Sequence, residues 1–396
     1  MKLDNPWASY PGGDPFPLPI GPDAIFPNST PYVIQPPNTH NPAIIQYNLS
    51  VERQLATNWL VSISYLGSES YHLWMQGQAN PAVYVPGTCS SAALVAQYGC
   101  TLNGAISTAS NTNNRRALTL ANPIYANYFA ALPLLDSGGT SSYNGLVLSA
   151  THRLSSNFTV TGNDTWSHCI SSPIISSIYG GTSGNGGYSV PGNPRADRSN
   201  CTTSATDVRN SFHASAVLLT PKFSNRTLRI IGTGWSFAPL IKVQSGDHLT
   251  VTTTTDIALN GNTSGQRIAL VPGVNPYGSG LTYLNPAAFV KPATGTFSTT
   301  PPGYLVGPVS WQFDASIYRD FNVGKSETKR IEARVEAFNV TNSFRRVDPI
   351  VNFNSGQFGQ ITSQASGEII IPGDYRSENY AVCAEVLLLM CGGGSI

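Results

Sequence analysis

The stretch from Trp311 to Asn322 shows the clearest alternation in the chain. Trp311, Phe313, Ala315 and Ile317 fall on one side of an extended chain; Gln312, Asp314, Ser316, Tyr318, Asp320 and Asn322 fall on the other. Successive side chains of a strand point to opposite faces, so this segment predicts a strand with one apolar and one polar side. After a turn at Gly324-Lys325-Ser326 the pattern returns, with Ile331, Ala333, Val335 and Ala337 against Arg330, Glu332, Arg334 and Glu336. Such a strand needs an apolar medium against one face.

The alternation recurs along the chain. Ile45, Tyr47, Leu49 and Val51 alternate with Gln46, Asn48, Ser50 and Glu52, and a turn at 56–58 leads into Trp59, Val61, Ile63 and Tyr65. Weaker pairs run over 142–154 into 158–168 and over 210–220 into 230–244, where Trp235, Phe237, Ile241 and Val243 share a face. A last strand is expected over 379–390. Helical periodicity is almost absent. Short turns near 56, 156, 225 and 326 alternate with long polar segments at about 68–141, 169–208, 245–308 and 340–378. A soluble sandwich more often has short loops at both ends, whereas short turns on one side and long loops on the other describe an outer-membrane barrel. Trp59, Trp166, Trp235, Trp311 and Phe321, at strand ends, suit interfacial girdles. The sandwich, as a secreted surface or adhesion protein, is the competing reading; an outer-membrane barrel enzyme is the third, and a receptor remnant without activity of its own the last.

Composition narrows the function. Only 11% of the 396 residues are charged, while 41% are hydrophobic and the net charge is +1. Average soluble domains carry roughly 25% charged residues. Without a basic field, a nucleic-acid partner is not expected. No run reaches the ~18 apolar residues of a membrane helix; the nearest, Ala381 to Met390, is short and contains Glu385. The opening residues, Met1 to Trp7, hold one lysine and no apolar core, so no signal peptide is expected there.

Motifs for bond chemistry are missing: no G-x-S-x-G elbow, Walker A loop, G-x-G-x-x-G or EF-hand loop stands in the chain. The chain therefore reads as a non-enzyme without a cofactor, and the glycine run 180–187 as a surface loop. Six cysteines form no C-x-x-C pair. Cys89 with Cys100, and Cys169 with Cys201, bracket polar segments, so local loop disulfides are the simplest reading, with unpaired small residues as the alternative. His168 and His213 flank one loop and could meet near Asp197 or Asp207, but they lack metal-ligand spacing; no metal is expected. Asp197-Arg198 and Asp207-Val208-Arg209 read as loop-anchoring ion pairs. Lumen-lining candidates are Arg330, Glu332, Arg334, Glu336, Asp314 and Tyr318, read as cross-strand ion pairing that fills a polar lumen. Loop candidates for ligand contact are Arg115, Arg116, Tyr125, Tyr179 and Tyr188, because function tends to sit on loops held by a rigid scaffold.

Several segments, in order, resemble one family. They are Asn41 to Leu55 followed by Ser64-Tyr65-Leu66-Gly67-Ser68, then Tyr143-Asn144-Gly145-Leu146, Asp164-Thr165-Trp166-Ser167-His168-Cys169 and Gly234-Trp235-Ser236 with Gln244-Ser245-Gly246. Leu284-Asn285-Pro286-Ala287-Ala288-Phe289, Glu332 to Asn342 and Phe358-Gly359-Gln360-Ile361-Thr362 complete the set. Together they resemble the barrel of TonB-dependent receptors of the Oar-like, acidobacterial type. The resemblance implies a 22-stranded outer-membrane transporter with a plugged lumen, energised through TonB, that binds a nutrient such as an oligosaccharide or metal chelate. About nine strands are expected here, hence an all-β, antiparallel transmembrane β-barrel in part, with long extracellular loops and short periplasmic turns. Residues 1–40 then form a loop segment, 41–390 the C-terminal part of the barrel and 391–396 an atypical tail. Expected partners are outer-membrane lipid, a small-molecule or oligomeric ligand, and the TonB system only through a plug that this sequence does not contain.

Overall fold

A computed structural model describes residues 32–124, 126–155, 157–173, 188–201, 207–262, 265–322, 329–364 and 381–390; at 127, 154, 155, 322, 329, 330 and 381–390 it describes the backbone alone. Nine long strands form one antiparallel sheet in sequence order: β1 (Ala43–Ala56), β2 (Trp59–Gln78), β3 (Pro133–Ser155), β4 (Phe158–Ser171), β5 (Asn210–Leu219), β6 (Trp235–Gln244), β7 (Ser310–Asn322), β8 (Lys329–Phe338) and β9 (Ala381–Met390). The two-residue strand Ser199–Asn200 is added beside β4. The sheet is open: among the described residues, β1 pairs only with β2, and β9 only with β8.

The register explains the alternation. Val51, Ile63 and Leu148 are direct neighbours across β1–β3; Phe212, Val243 and Trp311 across β5–β7; Ile317, Val335 and Ala384 across β7–β9. The apolar positions thus share one side of the sheet, with Asp164 of β4, in register between Leu148 and Phe212, as a charged exception in that row. Among the described residues the middle of that side is left open: Leu49 is 68% exposed, Ile63 50% and Ile317 45%. No second sheet among the described residues covers it, and the sandwich reading requires one. Trp311 and Phe321 bracket the band on β7. At ~3.4 Å per residue and ~40° tilt their separation spans about 26 Å of height, matching the ~25 Å apolar belt of an outer-membrane barrel.

Near the long-loop end of the band, Tyr65 donates its hydroxyl to Asn144 Oδ1 at 2.6 Å. The Tyr47 ring lies over Gly67, where a Cβ would fall 2.1 Å from it. Above this line the alternation fades but pairing continues. Strands β2 and β3 run on to Gln78 and from Pro133, through bulges near Leu73, well into what the sequence reads as loop. Water on both faces there leaves no apolar side for the sequence to mark, while backbone hydrogen bonds still favour the ladder.

The long connections pack together into a cap. It contains α1 (Ala92–Tyr98), α2 (Ala117–Ala121) and four two-stranded ribbons, among them Leu305–Val306 with His248–Leu249 and Ala269–Leu270 with Phe289–Val290. Its core is Leu249, Val251, Ile257, Ile268, Leu284, Ala288, Phe289, Leu305 and Phe358. Cys89–Cys100 and Cys169–Cys201 are bonded, with Cα atoms 6.2 and 5.4 Å apart. A smaller cluster of Cys89, Cys100 and Ile106 surrounds the first bridge.

One expectation fails locally. The turn near 225 was expected to enter a strand at 230, but α3 (Arg226–Gly232) occupies it and β6 starts at Trp235. Asn225 decides this: its side chain accepts from Thr227 N at 2.9 Å and Leu228 N at 3.3 Å, an N-cap that closes a first helical turn.

Candidate functional site

The polar side of the sheet is the surface that a barrel would turn inward. Ser62, Ser149, Asn163, His213, Lys242 and Gln312 form one register row across β2–β7. Of these, Gln312 is legible in the β7 alternation and His213 reads in the sequence as flanking a loop; extending that alternation into the weaker strands finds Ser149, Asn163 and Lys242 as well. His213 Nδ1 lies 3.3 Å from Asn163 Oδ1, and Arg345 donates to Gln312 Oε1 at 2.7 Å.

The charged ladder stands beside this row. Arg334 Nε donates to Glu332 Oε1 at 2.7 Å and its Nη1 to Glu336 Oε1 at 3.2 Å. These pairs run along β8, not between strands. The register gives the reason: Glu332 faces Asp320, Glu336 faces Ser316, and Arg334 faces Tyr318, so among the described side chains β7 offers Arg334 no carboxylate directly opposite. Tyr318 instead receives the guanidinium on its ring, 5.1 Å from the centroid. On the other flank Arg334 is in register with Glu385. Asp314 is held by Gln312 Nε2 at 2.6 Å and by the Asn339 backbone N–H at 2.8 Å, so it fixes the exit of β8. Arg330 is in register with Asn322 on the same side. Five of the six lumen candidates therefore sit as one group, with Arg330 placed by backbone only. The group can hydrogen-bond hydroxyls and carry either charge, and its acids (Asp314, Asp320, Glu332, Glu336) outnumber its bases.

The loop candidates behave differently. Arg115 is fully buried: Nε donates to Asn111 Oδ1 at 2.8 Å, Nη1 to Val83 O at 2.5 Å and Leu259 O at 2.9 Å, and Nη2 to Thr108 O at 2.9 Å. Burial pulls its pKa below the usual arginine range, opposed by Asp256. Arg116 is also buried, donating to Asn113 Oδ1 and Asn80 O. Neither guanidinium is free to meet a ligand; both tie loop backbone together, since buried carbonyls need donors. Tyr188 is buried too, its hydroxyl donating to Asp136 Oδ2; desolvation, with that hydrogen bond, raises its pKa. It joins the cap to β3. Tyr125 and Tyr179 lie outside the described residues.

The histidine cluster does not assemble. His168 Nε2 is 2.9 Å from Asn200 Oδ1, apart from His213. His248 meets Asp207 instead, with Nε2 3.3 Å from Oδ2, while its Nδ1 bonds Gly303 O at 3.0 Å. Asp197 pairs with Arg267 rather than Arg198, and Arg209 lies 3.9 Å from Asp207. Asp197 thus anchors its loop through a partner distant in sequence, whereas Asp207 meets both its near neighbour Arg209 and the distant His248. No group of three metal-ligating side chains occurs among the described residues.

An outward apolar belt, an inward polar ladder and one-sided long loops define a membrane β-barrel wall. The chain belongs to the outer membrane beta barrel domain family, whose model matches residues 2–376; the wall is accordingly a component of the outer membrane. A solved structure, the outer membrane transporter YddB from Escherichia coli, aligns with 83% of this chain and 32% of its own at 9% identity and a TM-score of 0.39. The chain thus spans about a third of that transporter's length. No curated protein matches the chain.

Proposed function

We propose that this chain forms the C-terminal part of the wall of an Oar-like, TonB-dependent transporter, and that a polar nutrient such as an oligosaccharide or a metal chelate passes along its inner face. The observation that carries this reading is the register itself: one side of the sheet is predominantly apolar and exposed, and the other concentrates Lys242, Gln312, Tyr318, Glu332, Arg334 and Glu336. The mechanism is binding and passage without bond chemistry. Acidic excess on β7 and β8 favours polyhydroxylated or cationic solutes over anions.

The test begins with the chain expressed behind a bacterial signal peptide and fractionated. Heat-modifiable protein in the outer-membrane fraction, with conductance whose cation preference falls on Glu332→Gln/Glu336→Gln, is the expected result. A soluble monomer with a single cooperative melt would sink the reading. A folded wall whose selectivity ignores both substitutions would sink the assignment of the ladder.

A further inference from the structure

Helix α3 lies at the end of the sheet that carries the short turns, between β5 and β6. Two side chains hold its last turn. The Trp235 indole donates to Ile231 O at 2.7 Å, and Arg319 Nη1 donates to the same carbonyl at 2.9 Å. Trp235 and Arg319 are register partners in a row that continues into Ala333, on the apolar side of the sheet. The Arg319 guanidinium covers the Phe321 ring at 4.7 Å and the Trp235 ring at 5.8 Å. The helix is therefore fastened to the outward side of the wall.

What it presents is unusual for a periplasmic turn. Leu228, Ile230 and Ile231 are 53%, 64% and 65% exposed. Lys222, Arg226 and Arg229 are exposed beside them, and no Asp or Glu occurs between Thr220 and Trp235. Aliphatic side chains next to unopposed cations match one environment: the boundary where acyl chains meet phosphate headgroups.

We propose that the 220–235 connection is an interfacial anchor. Leu228, Ile230 and Ile231 dip into the acyl boundary of the periplasmic leaflet, and Lys222, Arg226 and Arg229 bind the phosphates of anionic phospholipid. The proposal rests on the outer-membrane placement of the wall and is independent of what the wall transports.

The probe is an environment-sensitive dye on Ile230→Cys in the full chain, with Cys383→Ser and Cys391→Ser. The protein is folded into vesicles of phosphatidylcholine with or without phosphatidylglycerol. Brominated acyl chains should quench the dye and aqueous iodide should not. Arg226→Gln with Arg229→Gln should weaken the preference for phosphatidylglycerol by up to about 30-fold. Iodide quenching equal to that at Gly356→Cys, an open cap position, overturns the proposal. A photo-crosslinker at 230 in cells provides the second reading: phospholipid adducts support the anchor, and a discrete protein adduct overturns it in favour of a protein partner. The same dye at Ile317→Cys separates this failure from a wrong placement of the wall, because only the latter leaves both positions in water.

Discussion

The wall and the cap use the same apolar residue types to opposite ends. In the wall, Leu49, Ile63, Ile317 and Val335 stand outward with 43–68% of their surface exposed. In the cap, Ile268, Leu284 and Leu305 are 0–3% exposed. Every buried apolar side chain among the described residues lies in the connections or at the long-loop ends of strands, and none lies within the belt. The cap folds in water and must hide its hydrocarbon; the wall has hydrocarbon for a solvent, so its inner face takes the polar groups. Charges divide in the same way. Arg115 gives its donors to three backbone carbonyls and an amide oxygen in a dry interior, whereas Arg334 neutralises two carboxylates on a half-exposed ladder.

The comparison breaks most sharply at Arg115. Arg115→Leu strands the carbonyls of Val83, Leu259 and Thr108 and should destabilise the cap by about 3–5 kcal/mol. Hydrogen exchange should show cap amides opening while β5–β8 stay protected; equal loss in both regions would mean that cap and wall fold as one unit. Ile317→Arg makes the converse cut. At mid-belt it should cost the wall about 2–4 kcal/mol of membrane folding stability, read as lost heat-modifiable protein, with cap protection unchanged. Ser316→Arg, one residue along and on the polar side, is the control. If it costs as much, the assignment of faces is wrong.

The wall was legible because a single-sided medium writes a period of two into the chain, and the β7–β8 hairpin carries that period cleanly enough to group Asp314, Tyr318, Glu332, Arg334 and Glu336. The cap was not. Its contacts join Arg115 to Leu259 and Arg267 to Asp197, across sequence distances that no local pattern records. Arginine and tyrosine in polar loops read as ligand contacts when exposure is assumed, and burial of Arg115, Arg116 and Tyr188 reverses that reading. Cysteine spacing was the exception, since Cys89 with Cys100 and Cys169 with Cys201 bracket single connections. Cys89→Ser/Cys100→Ser should cost the cap about 3 kcal/mol, the closure entropy of a short loop, and leave the wall in place. A melt unchanged by reduction would show that the loop is held by the Arg115 network alone.

The smallest effect concerns pH and again separates the regions. Asp348 lies against Gly307, where a Cβ would fall 2.4 Å from its Oδ1. Desolvation, aided by the nearby Asp247 carboxylate, raises its pKa to about 6. In the unfolded chain an aspartate titrates near ~3.9. The folded cap therefore holds this proton more tightly, and its contribution to stability is fully present below ~4 and lost as pH rises through about 6. The informative quantity is what Asp348→Asn removes from the pH profile of the cap. Wild-type cap should gain a few degrees relative to that variant between pH 7.5 and 5.0, by near-ultraviolet circular dichroism. Parallel profiles would mean that solvent at the edge of Asp348 screens the carboxylate pair completely. The wall, whose charges lie on the ladder and not in the cap, should melt identically in both proteins at every pH.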